Sequence, residues 1–452
     1  MRCVARWGLL LLVGTGCAKQ SASVAAATGK TINVVPLDTQ PAPETETADL
    51  LFWRVTKGDL TNHMLGTCHL PIPLEHAVTA EHLPALETAR VLYTEVDMDA
   101  LAPEDVLRAL YNPENSFREL VGDVVFQQVG HKLRLQTPAP LLDMQAPWVT
   151  LNLLPMADLM ADPEFVAKAA ELGSRTLDKA VQAHAQNAGV EHVGLETIAF
   201  QLDMLDSLMG PDAIREAFSD PDGLTKQSGQ TMALVNEACL KGDDSRVMEW
   251  LQPSDLSEQD KQALFQLLDQ RNLNWMDTLG PAFETGNAFV AVGAGHMYGD
   301  NGLIQKMESL GWTVERLGGV RPVMADFPVP KLREGPLLPA LEEPDPQALA
   351  TLKAEFVTAA DALCNAANPA VACMGGVDQC RAEVTSAADL CALQWASIDP
   401  AELSQLQPEV LQTRATCALS APLFKSLLNG YPEEPACLAM EQAMMKAFGD
   451  AL

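Results

Sequence analysis

The sequence predicts an α/β protein with a central sheet built from two strand–GxxH–helix–strand halves, a helix-rich middle between them, and a C-terminal disulfide-stapled helical domain. Three observations carry this expectation. The pattern Gly66-Thr67-Cys68-His69 recurs as Gly293-Ala294-Gly295-His296, and each copy follows an apolar, strand-like run, His63-Met64-Leu65 in the first and Ala288 to Val292 in the second. Between the copies, from about Pro103 to Leu279, helical patterning dominates. Six of the ten cysteines fall in the last quarter of the chain.

Taken in order, the chain opens with Met1-Arg2-Cys3-Val4-Ala5-Arg6, a short apolar run from Trp7 to Val13, and then Gly14-Thr15-Gly16-Cys17. A basic start, a brief apolar centre and small residues before the break are the parts of a secretory signal, too short to remain as a membrane span. The cysteine after the small residues resembles a lipobox, so residues 1–17 read as a lipoprotein signal peptide with Cys17 as the lipidation site. Gly14 departs from the aliphatic residue preferred there, which leaves simple cleavage as the alternative. Residues 18–48 are mostly small, polar or proline and suit a flexible tether. The expectation is an exported protein, a bacterial outer-membrane or periplasmic lipoprotein held at the membrane through its lipid anchor.

The main domain, residues 49–321, begins with the strand around Leu51 to Val55 and the first GxxH loop. A helix is expected near Ala80 to Ala89, then a strand from Arg90 to Asp97 interrupted by Glu95. After the helical middle come the second GxxH strand, a helix near Gly302 to Leu310 and a strand from Trp312 to Leu317. The matching ends suggest a duplicated half with an internal symmetry axis. Residues 322–348 are proline-rich and read as a linker. Residues 349–452 form the expected Cys-rich helical domain, with helical spacing from Leu352 to Ala366 and from Leu438 to Phe448. An even set of cysteines in an exported chain favours disulfides, here three among Cys364, Cys373, Cys380, Cys391, Cys417 and Cys437, of open connectivity. Zinc is disfavoured because that segment has no CxxC pair and no histidine.

The two motif histidines each stand just past the end of a buried strand. In an open α/β sheet that edge is where ligands bind, and Gly66 and Gly293 let the chain turn or approach a ligand closely. Glu95 lies inside an apolar run, where a carboxylate is costly unless it is paired or binds a cation. Two neutral imidazoles and one carboxylate, His69, His296 and Glu95, suit one divalent metal, Mn, Fe, Co or Zn, with open positions for water and substrate.

Several further pieces, in order along the chain, resemble the TraB/GumN family, which includes the Tiki proteases and is akin in fold to erythromycin esterase and haem-binding ChaN proteins. Leu51-Phe52-Trp53-Arg54-Val55 is similar to its opening strand, Gln145-Ala146-Pro147-Trp148 to a "kPW" signature, and Leu177-Asp178 with Ala185 to a "GlD…A" stretch. Gly194-Leu195-Glu196-Thr197 with Gln201 resembles "LEt…Q", and Arg271-Asn272 with Trp275 resembles "RN..w". The likeness runs from about Leu51 to Leu317. It departs from the family at Thr176, where glycine is usual, and at Cys68, which reads as a small buried hydrophobe. Cys68 and Cys239 are both expected to remain thiols.

The resemblance implies a metal-dependent hydrolase, with Mn or Co ahead of Zn or Fe, and peptidase chemistry through an activated water on a peptide or protein substrate. The alternative is a non-catalytic lipoprotein that binds a metal, haem or a peptide signal. Glu95 and Arg271 are the catalytic candidates. Arg271 would either pair with Glu95 or Glu196 or reach into the crevice and stabilise an oxyanion. Glu196 and Asn272 would orient a ligand histidine or serve the structure alone. His76, His82, His131, His184 and His192 have polar neighbours and read as solvated, whereas His63 stays close to the site. The chain has no HExxH helix, no GxSxG elbow and no Walker loop. A formal net charge of -30 repels phosphate backbones, so no nucleic-acid partner is expected.

Overall fold

The computed structural model describes residues 44–451 apart from 69, 98–102, 113, 115, 134–136, 162, 173–175, 220–235, 252–261, 264, 327–337, 339–340, 342–344, 366, 397, 399–404, 407 and 430–433. Six strands form one sheet: β1 (Thr45–Lys57), β2 (Leu60–Thr67), β3 (Val91–Val96), β4 (Glu191–Glu196), β5 (Ala288–Gly293) and β6 (Thr313–Pro322), in the order β4-β3-β5-β2-β1-β6. β4, β3, β5 and β2 run parallel, while β1 is antiparallel to both β2 and β6. Parallel strands are covered on both faces and read as continuous apolar runs, as β5 does with Ala288 to Val292 all buried. The strand–loop–helix–strand ends place β2 and β5 side by side with β3 beyond β5, but β1 is inserted between β2 and β6. The expected symmetry is broken by that antiparallel strand.

Three boundaries move. β1 starts at Thr45, inside the expected tether, and pairs through Thr45↔Pro322 with the last residue of β6, which reaches into the expected linker. Proline is tolerated there because β6 is an edge strand. The helix expected near Ala80 is the short Leu83–Glu87, started by Pro84 at its first turn. β4 was not expected at all: its Glu191-His192-Val193-Gly194-Leu195-Glu196 has few apolar residues, because it is an edge strand paired on one side among the described residues.

Two large cores result. One surrounds the sheet, with Phe52, Met64, Leu65, Phe289, Trp275 and Phe283. The other joins the helical middle (Phe117, Phe126, Trp148) to the cysteine-rich helices (Cys364, Cys391, Trp395, Cys417) in a single cluster. Gln394, on the C-terminal helix Val377–Trp395, closes that contact. Its Oε1 accepts from the Ala139 N–H at 3.0 Å, and its Nε2 donates to the Thr137 carbonyl at 2.9 Å. The C-terminal helices therefore build on the helical middle rather than on themselves alone.

The six C-terminal cysteines pair as Cys364–Cys380, Cys373–Cys437 and Cys391–Cys417. A fourth bridge, Cys68–Cys239, corrects the expectation of two core thiols. A sequence separation of 171 hides a pairing that the fold creates by laying the short π-helical turn Asn236–Leu240 against the end of β2, with Cα atoms 6.4 Å apart. Among the described residues no helix is long and apolar enough to cross a membrane, and the four disulfides point to an oxidising, extracytoplasmic environment.

Candidate functional site at the carboxyl edge of the parallel strands

The register brings the two motifs together. Gly66 pairs with Val292 and Thr67 with Gly293, so the chains leaving β2 and β5 do so side by side. Both glycines sit in tight quarters: a Cβ on Gly66 would lie 3.1 Å from the Cα of Ala294, and one on Gly293 would lie 3.1 Å from Glu95 Oε1, so a side chain at either would press on its neighbour. His69 lies outside the described residues. Next to it, Thr67 donates from its hydroxyl to Asp178, at the start of helix Leu177–Asn187. Thr176, the departure from the family pattern, caps that helix by accepting from Lys179 N–H.

His296 is buried in a short 3-10 turn, Ala294–Met297, directly after β5. Asn272 donates from Nδ2 to the carbonyls of His296 (3.1 Å) and Asn301 (3.0 Å), which fixes its amide so that Oδ1 faces His296 Nδ1 at 2.8 Å. Nδ1 therefore donates, and Nε2 carries the lone pair. That nitrogen sits 3.7 Å from Glu95 Oε1 and accepts from Arg271 Nη1 at 3.2 Å. Trp275 packs against the ring with centroids 4.4 Å apart.

Glu95, on β3, accepts from the Gly293 N–H (2.8 Å) at Oε1 and from Arg271 Nη2 (2.6 Å) and Gln201 Nε2 (3.1 Å) at Oε2. Glu196, at the end of β4, accepts from Gln201 (2.8 Å), from Trp275 Nε1 (3.0 Å) and from Arg271 Nε and Nη2. Arg271 is 2 % exposed and lies between the two carboxylates, and its Nη1 also donates to the Leu267 carbonyl. Burial alone would pull its pKa down; Glu95 and Glu196 more than offset that and push it up. A guanidinium has five N–H donors, and the contacts to Glu196, Glu95, Leu267 and His296 use all of them, leaving none for an oxyanion. The ion-pair alternative is the one seen.

Glu196 does not touch a histidine ring in any of these contacts; Asn272 has that place. Gln201 and Trp275, quoted above only as pieces of a motif, turn out to hold both carboxylates and the imidazole. Sequence spacing could not show this, because it needs the unexpected strand β4 to deliver Glu196. His63 lies on β2 opposite Phe289, away from the strand ends and stacked on Phe52. Burial first, then Arg54 and His82, lowers its pKa to about 4. His76 is not solvated but 2 % exposed, its ring nitrogens 2.9 Å from the Leu240 carbonyl and 3.2 Å from that of Pro322. His192 is likewise engaged, by Thr94 Oγ1 at 2.7 Å and Asp97 Oδ1 at 3.3 Å.

Among the described residues no three His, Cys, Asp or Glu side chains form a ready metal cluster. The donors that are described nevertheless fit a cation. His296 Nε2 and Glu95 Oε1 lie 3.7 Å apart and Arg271 supplies one positive charge against two carboxylates; a cation between them would take the Nε2 lone pair in place of the bond from Arg271 Nη1.

No curated protein and no solved structure matches the chain. The sequence profile of the TraB/PrgY/gumN family matches residues 51–316, the stretch that runs from β1 through both glycine–histidine motifs and all the polar residues of this site. The chain belongs to the TraB/PrgY/gumN family.

Proposed function

We propose that the protein is a metal-dependent hydrolase, a peptidase, acting in the extracytoplasmic space. The observation that carries the reading is the His296 ring: Asn272 holds the Nδ1–H tautomer, so Nε2, 3.7 Å from Glu95 Oε1 at the strand edge where β2 delivers the first motif, is an acceptor that a cation would take over from Arg271 Nη1. His69, Glu95 and His296 are the ligand set, for Mn or Co ahead of Zn or Fe. Such a cation would polarise a scissile carbonyl and lower the pKa of a water. Arg271, Gln201 and the Gly293 N–H aim Glu95, and Asn272 holds the ring proton of His296 on Nδ1. Cys17 and residues 18–43 lie outside the described residues; a lipid on Cys17 and the tether would hold the domain at a membrane surface.

The saturated donors of Arg271 favour a second reading, a lipoprotein that binds a metal, haem or a peptide signal without turnover. The two readings separate in one experiment. Protein stripped of metal and reloaded with Mn, Co, Zn or Fe is assayed on a peptide library: metal-restored cleavage supports the hydrolase, and tight binding without cleavage supports the binding protein. Binding of none of the four metals would remove the ligand set from both.

A further inference from the structure

We infer that the Cys68–Cys239 disulfide is a positioning element of the candidate metal site, holding the loop that carries the first motif rather than the stability of the fold at large. The inference deepens the metal reading above and rests on it in part. The residues on both sides of residue 69 are described: Cys68, Leu70 and Ile72 bury their side chains in the sheet core, while their backbone lies outside the strand ladder. After Thr67 the ladder ends, and Cys68 to Ile72 is turned by two local bonds, Leu70 N–H to the Cys68 carbonyl at 2.7 Å and Ile72 N–H to the Leu70 carbonyl at 2.8 Å. Outward, the Leu70 carbonyl accepts from the Leu177 N–H at 2.9 Å. The covalent tie is Cys68 to Cys239.

That tie would position little if its far end were loose. It is not: the segment from Asn236 to Asp244 is strapped across the β1–β6 side of the sheet. The Leu240 carbonyl faces His76 Nε2 at 2.9 Å, the Gly242 carbonyl accepts from Arg316 Nη2, and Asp244 pairs with Arg316 Nη1 at 2.9 Å. The same guanidinium donates from Nε to the Leu50 carbonyl on β1 at 2.8 Å. Cys239 packs against both the sheet core and the helical core. The strap is therefore fixed to the sheet at several points, and the disulfide transfers that fixation to the residue next to His69. The three C-terminal bridges have no such neighbour.

The test compares Cys68→Ala/Cys239→Ala with Cys391→Ala/Cys417→Ala and the wild type, all as full chains. In metal-free protein, amide exchange at Cys68, Leu70 and Ile72 should speed up about tenfold or more in the first variant and stay unchanged in the second. Co²⁺ affinity, read by equilibrium dialysis, should fall about tenfold to a hundredfold in the first variant alone. Unchanged protection of residues 68–72, or equal Co²⁺ affinity in the two variants, would overturn the inference. Should the first variant not fold, Cys68→Val/Cys239→Val restores the apolar volume; if that also unfolds globally, the bridge is a general staple and the inference fails. If the wild type binds no Co²⁺, the functional reading falls, while exchange at 68–72 still decides whether the bridge positions the loop.

Discussion

At the carboxyl edge of the sheet, two carboxylates, a guanidinium, an imidazole and two side-chain amides from five elements are held by hydrogen bonds and ion pairs, with Trp275 packed on the imidazole. In the C-terminal helices three disulfides do the holding, around buried alanines, leucines and a tryptophan, with Gln394 as the polar contact to the helical middle. The two regions fail differently. The three C-terminal bridges act largely by restricting the unfolded chain, so the loss of one lowers stability without misplacing an atom of the site, in contrast to the loss of Cys68–Cys239. A buried charge network works in the folded state, so the loss of one member leaves the others unpaired and re-aimed.

The largest expected effect follows from that contrast. Arg271→Met leaves Glu95 and Glu196 buried without their cation and should cost about 3–5 kcal/mol of unfolding free energy, as is usual when one partner of a buried pair is removed. Urea denaturation measures it, and a loss below 1 kcal/mol would mean that the network is not dry and coupled as described. Next, Cys391→Ala/Cys417→Ala should lower stability by about 2–4 kcal/mol and leave metal binding untouched. Alkylation of the unfolded, non-reduced wild type should accordingly find no free thiol among the eight bridged cysteines.

Asn272→Leu sharpens the comparison from the other side. It frees the His296 tautomer at a cost of about 1–3 kcal/mol in stability, and metal affinity should drop about tenfold to a hundredfold. A variant that binds metal as the wild type does would show that Asn272 serves only the fold. The smallest effect belongs to His63. Its pKa is lowered from 6.5 to about 4 in the fold, so between those values the unfolded chain takes up a proton that the folded chain refuses. Stability therefore falls as pH drops through that window and gains no further slope from His63 below about 4. Chemical denaturation across the window should show a shallower fall in His63→Phe; equal slopes would place the titration elsewhere.

The parts of this arrangement that were legible in the sequence are those with local signals. β2 and β5 are apolar runs ended by glycine, Glu95 interrupts an apolar strand, and six clustered cysteines announce bridges. What was not legible depends on contacts far apart in the chain. β4 hides because an edge strand with Gly194 and polar ends has no buried-strand pattern, and with it hides the place of Glu196. His76 reads as a surface residue beside Glu75, yet it is buried against carbonyls that arrive from Leu240 and Pro322. Helical spacing from Leu352 onward shows that a face is buried but not against what, so the shared core with Phe126 and Trp148 could not be read from it.

In the proposed site His296 and Glu95 hold a divalent cation, with Nε2 exchanging its bond from Arg271 Nη1 for the metal. The most direct test is metal titration of stripped protein, wild type against His296→Ala, followed by Co²⁺ visible absorption and by elemental analysis after dialysis. One equivalent per chain in the wild type, with its ligand-field bands lost in a variant that keeps its far-ultraviolet circular dichroism, is the predicted result. Binding of the same stoichiometry and spectrum in His296→Ala would contradict the account.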